Sequence, residues 1–213
     1  ILLSGLECYS NSIGTLNIST NTVLNTLTCQ SNGMTVLNIN GAVTLATLDC
    51  HDNALTSFVT TSNTALITAY VNDNALTTID VSASTILQHL VASDNSLTAL
   101  SVTTNVALQQ LYCSNNSLTS LNVSTNTLLQ KLYCKYNSIT TLDVTTNTAL
   151  TYLACNNNLL TSLNIKNTNN TNMLPANFTA VTNSLTTITC DTPGTATTTY
   201  TVAAGCIDVG VTF

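Results

Sequence analysis

Apolar residues recur along this chain at a fixed interval of 21. Counting each unit from its first Leu as position 0, that Leu falls at Leu3, Leu24, Leu45, Leu66, Leu87, Leu108, Leu129 and Leu150 without a slip. Position 3 is Leu in every unit except one, where Ala69 stands. Position 10 is Leu, Ile or Met, and position 13 is Leu, Ile or, once, Phe58. Position 15 is Ile or Val except at Thr60. Inward residues at 3 and 5, with an outward one between, are the alternation of a strand, and 13 to 15 repeats it. Each unit is therefore predicted to be a coil with two short strands, one on each broad side. A single coil cannot cover its own apolar edge, whereas stacked coils bury Leu on Leu in continuous rows. With strands about 4.8 Å apart, nine coils extend roughly 40 Å.

Two further rows follow from the same count. Position 8 is Asn in every unit: Asn11, Asn32, Asn53, Asn74, Asn95, Asn116, Asn137 and Asn158. The chain must turn there, leaving interior backbone groups that an amide side chain can satisfy as donor and acceptor. Position 5 holds Cys8, Cys29, Cys50, Cys113, Cys134 and Cys155, with Val71 and Ala92 in the remaining units. A site that accepts Val and Ala wants a small apolar group, so these are predicted to be free, buried thiols. Directly stacked parallel strands give poor disulfide geometry, and a row does not converge on a zinc ion.

The period breaks after Ile165. Leu185, Ile188 and Cys190 then match positions 0, 3 and 5, which predicts a ninth strand and a continued Cys row. Residues 1–184 are thus expected to form the solenoid, with an insertion at about 166–184. Residues 185–213 are expected to hold the last strand and a β-rich cap, or the start of a further domain. The lone Cys206 makes a bridge to Cys190 one option for closing that cap.

The pattern, "LxxLxCxxNxLTxLxVSxNTx", resembles the leucine-rich repeat over residues 3 to about 170. It looks like the short repeats of secreted and surface proteins of Gram-negative bacteria, including many exported by the type IX system. The resemblance implies a β-rich solenoid whose first strands line a concave, ligand-facing sheet. It also implies recognition or adhesion on a cell surface or outside the cell, with partners that differ from member to member.

Composition narrows the partners. Charged residues are 6% of the chain, there is no Arg, and the net charge is −6. Nucleic acid and anionic membranes require clustered cations, which three Lys do not supply. No apolar run is long enough to span a membrane. The chain starts inside a repeat without an initiator Met, which reads as a piece of a longer protein. No cofactor motif is present, since glycine is scarce and no phosphate-binding loop appears. His51 and His89 read as outward and solvated, and no catalytic carboxylate pair is recognisable, so the chain is not expected to be an enzyme.

Variation between the coils carries the functional signal. Tyr9, Tyr70, Tyr112, Tyr133, Tyr136 and Tyr152 all fall on the outward side or rim of the first strands, and the other side has no Tyr. Exposed tyrosines are enriched where proteins bind. A patch of Tyr112, Tyr133, Tyr136, Tyr152, Lys131 and Lys135, with Gln110 beside it, is the predicted site for a protein or a glycan. A weaker candidate is acidic: Asp52, Asp73 and Asp94 occupy position 7 of three successive coils, with Asp49 close by, and calcium would relieve their repulsion. Two other functions compete. The N-terminal coil has no polar cap, and an open edge suits a structural or accessory subunit that docks or self-associates. Position 11 is Thr from Thr35 to Thr161, which raises ice binding by the second side.

Overall fold

The computed structural model describes residues 2–169, 172–173 and 175–191. They form a parallel β-solenoid of about nine turns. Nine strands stack in chain order into one sheet: Gly5–Glu7, Thr26–Thr28, Thr47–Asp49, Thr68–Tyr70, His89–Val91, Gln110–Tyr112, Lys131–Tyr133, Tyr152–Ala154 and Phe178–Thr179. Pairing is in register coil to coil, so Leu6 meets Leu27, Leu27 meets Leu48, and Leu111 meets Leu132. The second side carries shorter pieces. Thr15–Asn17 pairs with Val36–Asn38, and Ser57–Val59 pairs with Thr78–Asp80. Ser101 and Asn122 make a single bridge, and Thr141–Asp143, Ser162–Asn164 and Thr187–Thr189 form a three-stranded sheet.

The core lies between the two sides. The position 0 Leu side chains from Leu24 to Leu150 are fully buried, as are Leu27, Leu48, Leu90, Leu111, Leu132 and Leu153. The first coil has a stacked neighbour on one side only. Leu3 is accordingly 41% exposed, and Leu6, Cys8, Ile13 and Leu16 are partly buried.

The position 8 Asn side chains hold the turn after each first-sheet strand. Asn53 Nδ2 donates to the carbonyls of Cys50, His51 and Cys29 at 3.0, 3.1 and 3.2 Å. Its Oδ1 accepts from the amides of Asn32 and Met34 of the preceding coil at 3.2 and 2.9 Å. One side chain thus satisfies five backbone groups and ties two coils together. The residue before each of these Asn is left-handed, from Ser10 through Asp52, Asp73 and Asp94 to Asn157, with φ near +55°.

The ninth coil corrects the sequence register. Leu153 pairs with Phe178, and Leu163 pairs with Ile188, each 25 residues on instead of 21. The insertion is therefore four residues. The ninth first-sheet strand is Phe178–Thr179, inside the stretch expected to be inserted. Leu185, Ile188 and Cys190 occupy positions 10, 13 and 15 on the second side, not 0, 3 and 5. Ala180 takes the place after Cys155 in the thiol row, and Cys190 is buried elsewhere. The two apolar patterns share a spacing of two at their ends, so a slipped coil fits either. The expected cap at 192–213, and with it Cys206 and any bridge to Cys190, lies outside the described residues.

Candidate functional site

Parallel in-register strands place equivalent outward side chains about 4.8 Å apart. Tyr112 and Tyr133 face each other across such a step, and their rings stack with centroids 4.4 Å apart and planes 13° apart. The residue following Tyr133 in that row is Ala154, which leaves space above the sheet. Tyr152, the partner of Lys131 in register, leans into this space. It stacks on Tyr133 at 4.4 Å and 19°. Three rings from three coils form one column. Such pairs contribute about 0.5–1.5 kcal/mol each beyond the area they cover.

Polar tips join the column. Tyr112 Oη donates to Gln110 Oε1 at 3.3 Å. Burial first, then the neighbouring Tyr152 and Tyr70, pushes the pKa of Tyr112 above its ordinary value. Tyr133 is raised further, by burial, by its hydrogen bond with Tyr152 and by the flanking phenols. These hydroxyls therefore stay protonated donors far above neutral pH. On the rim, Lys135 Nζ lies 5.9 Å from the centroid of Tyr136, whose side is half exposed. Lys131 is half-buried beside the stack. Tyr70 is separated from Tyr112 by Val91 and lies outside the stacked column, as does Tyr9 in the first coil.

The acidic candidate is not gathered into a cation site. Among the described residues no three His, Cys, Asp or Glu side chains are grouped to hold a metal. Asp52, Asp73 and Asp94 sit at position 7 because that backbone is left-handed, which Asp and Asn tolerate. Their carboxylates accept from Ser31 Oγ at 2.8 Å, Asn72 Nδ2 at 2.6 Å and Asn115 Nδ2 at 2.8 Å. Asp49 instead meets His51, with Oδ1 at 2.6 Å from Nδ1. His51 is thus not a solvated histidine as expected but a half-buried partner of a carboxylate.

Six thiols run through the core as free cysteines, from Cys8 to Cys155. Burial pushes Cys29 and Cys134 up to about 12, and Cys50, Cys113 and Cys155 well above the usual range. They are packing groups, not nucleophiles.

No protein-family profile and no curated protein matches the chain. Solved structures do. The functional domain of InlJ from Listeria monocytogenes, which includes a cysteine ladder, is 35% identical over 88% of this chain, with a TM-score of 0.72. The chain carries the leucine-rich-repeat fold. A leucine-rich-repeat protein of Leptospira interrogans (21% identity, 81% of this chain, TM-score 0.65) and the effector YopM of Yersinia pestis (19%, 87%, 0.70) share it. This leucine-rich-repeat chain spans 44%, 50% and 57% of those three, about half their length.

A second asparagine row escaped the sequence reading. Asn63, Asn105, Asn126 and Asn147, at position 18, are fully buried. Asn126 Nδ2 donates to the carbonyls of Val102 and Asn105 at 3.0 and 2.8 Å, and Asn147 repeats this one coil on. The signal was present in the sequence as the Asn at position 18 of five units, Asn21, Asn63, Asn105, Asn126 and Asn147. Thr60 and Ser84, exceptions to two rows, match each other: Ser84 Oγ lies 3.0 Å from Thr60 Oγ1 and 2.9 Å from the Asn63 carbonyl, with one proton to give to either.

Proposed function

We propose that this chain is a non-catalytic protein-recognition module of a secreted or surface-exposed bacterial protein, binding through the outward side of the nine-stranded sheet at Tyr112, Tyr133 and Tyr152. The stacked column carries this reading. Rings stacked on one another have spent their inner faces, so few faces remain free to lie on sugar rings. What they present is a row of ring edges and hydroxyl donors, which suits the mixed apolar and polar surface of a protein. The leucine-rich-repeat fold, shared with InlJ and YopM, supports an interaction role. A location outside the cytoplasm rests on the resemblance of the repeat to secreted and surface proteins. The buried, fully protonated thiols are compatible with an oxidising milieu, because the reactive form is the thiolate.

Selection of random dodecapeptides displayed on phage, against the intact immobilised chain, tests the reading. Binding clones are expected to lose binding to the Tyr112→Ser/Tyr133→Ser variant, while its circular dichroism is unchanged and its unfolding stays cooperative. Clones that bind the variant as well as the parent would sink it.

A further inference from the structure

The outward side and rim of the first sheet differ in charge from one end to the other. Its first five coils carry Glu7, Asp49, Asp52, Asp73 and Asp94, and no Lys. At the same positions from Gln110 to Thr182 there is no carboxylate, and Lys131 and Lys135 both stand there. The column adds to this positive end, because the edge of an aromatic ring is the electropositive part of its quadrupole. The Tyr152 hydroxyl adds a donor, while those of Tyr112 and Tyr133 are turned to Gln110 and Tyr152.

Tyr136 points the same way. It occupies position 7 with φ 54°, where the other coils place Ser, Asp, Asn or Thr. A left-handed backbone is disfavoured for a bulky side chain, and such outliers persist where something else requires them. Packing does not require this one, since Tyr136 is 51% exposed. Its ring instead lies under the Lys135 ammonium, an arrangement that keeps the charge on the rim.

We infer that this end of the sheet takes an acidic segment of a partner protein, whose carboxylates meet Lys131, Lys135 and the Tyr152 hydroxyl along the ring edges of the column while Tyr136 walls the rim. This rests on the reading of the sheet as a protein-recognition face and adds the chemistry of the partner. Charge complementarity favours it. A chain of net charge −6 repels an acidic segment over most of its surface, so attraction confined to the three coils that carry Tyr112, Tyr133 and Tyr152 fixes where and in which register the segment sits.

The test uses the tyrosine-dependent dodecapeptides from the selection, resynthesised and titrated against the intact chain. They are expected to be enriched in Asp and Glu. The Lys131→Gln/Lys135→Gln variant is expected to weaken them about tenfold, in line with a few exposed charge pairs. Tyr136→Asn is expected to weaken them severalfold with no loss of melting temperature. Tyrosine-dependent clones that are neutral or basic, or that ignore the lysine variant, overturn the inference and leave the recognition reading standing. Absence of any tyrosine-dependent clone overturns both. Lysine-dependent binding of heparin, with no acidic peptide selected, overturns the choice of a peptide.

Discussion

A single amide at Asn126 shows how much one residue decides in this chain. It is fully buried, gives two hydrogen bonds to the preceding coil, and leaves its own Oδ1 without a partner. Asn126→Ala removes both inter-coil hydrogen bonds, leaving the Val102 and Asn105 carbonyls only their backbone partners Asn105 N and Leu108 N, and a loss of about 1–3 kcal/mol is expected in urea denaturation. Asn126→Asp is expected to be worse, since it buries a charge and removes the donor. Gly41 is decided by space. Its φ is +96°, and a Cβ there would lie 2.1 Å from the Ser19 carbonyl oxygen. Gly41→Ala is expected to cost about 1–3 kcal/mol, whereas Gly33→Ala, with φ +68° and open space, is expected to cost less. Tyr136 is the converse case. Replacing it with Asn, the residue its backbone favours, is expected to raise stability by about 0.5–1 kcal/mol.

The thiol row and the two sides of the coil act as elements. Cys29 and Cys134 titrate in the folded protein near 12, above the usual value of about 9. The folded state therefore keeps protons that the unfolded state releases. Stability from this source is complete below pH 9 and is lost as pH rises from 9 towards 12, by about 1.4 kcal/mol per unit for each such thiol. A urea midpoint that falls through this window, and falls less in Cys29→Ala/Cys134→Ala, is the expected result. A thiol reagent at pH 8 is expected to leave Cys29, Cys50, Cys113, Cys134 and Cys155 untouched in the native state, and to reach the half-buried Cys8 first. The two sides should differ in exchange as well. The first sheet is continuous through nine strands, while the second side among the described residues is split into separate groups, with strand pairing interrupted after Val36–Asn38, after Thr78–Asp80 and around the single Ser101–Asn122 bridge. Within the stack, hydrogen exchange is expected to be faster at these interruptions and slowest from His89 to Tyr133 on the first sheet.

Coupling along the whole molecule is nearest-neighbour. Each coil touches the one before and the one after, so stability propagates through the interfaces between coils. Leu108→Ala, at a fully buried position in the middle of the stack, is expected to cost about 2–5 kcal/mol. Exchange should quicken in the coils on either side and fade with distance.

The repeat told much of this in advance because its constraints are local and recur. A 21-residue unit with Leu, Cys, Asn and Val at fixed positions has one way to bury its apolar edge, and eight copies leave no doubt about the register. Tyr112 and Tyr133 share position 4, so their stacking was implicit in the count. Tyr152 sits at position 2, and only the gap over Ala154 lets it complete the column. His51 and Asp49 read as two outward side chains until the backbone brought them within 2.6 Å. The Asp row at position 7 read as repelling charge, and the left-handed backbone there gives a second reason for Asp at those places. The ninth coil is the sharpest case. Where the period lengthens by four residues, two registers satisfy the same apolar pattern, and the pairing of Phe178 and Ile188 with the coil before chooses between them. Periodicity fixes what every coil has in common, because the same burial problem is solved each time. What happens once, at a gap, a diagonal contact or a slipped register, depends on which neighbours occupy the space, and only the folded chain decides that.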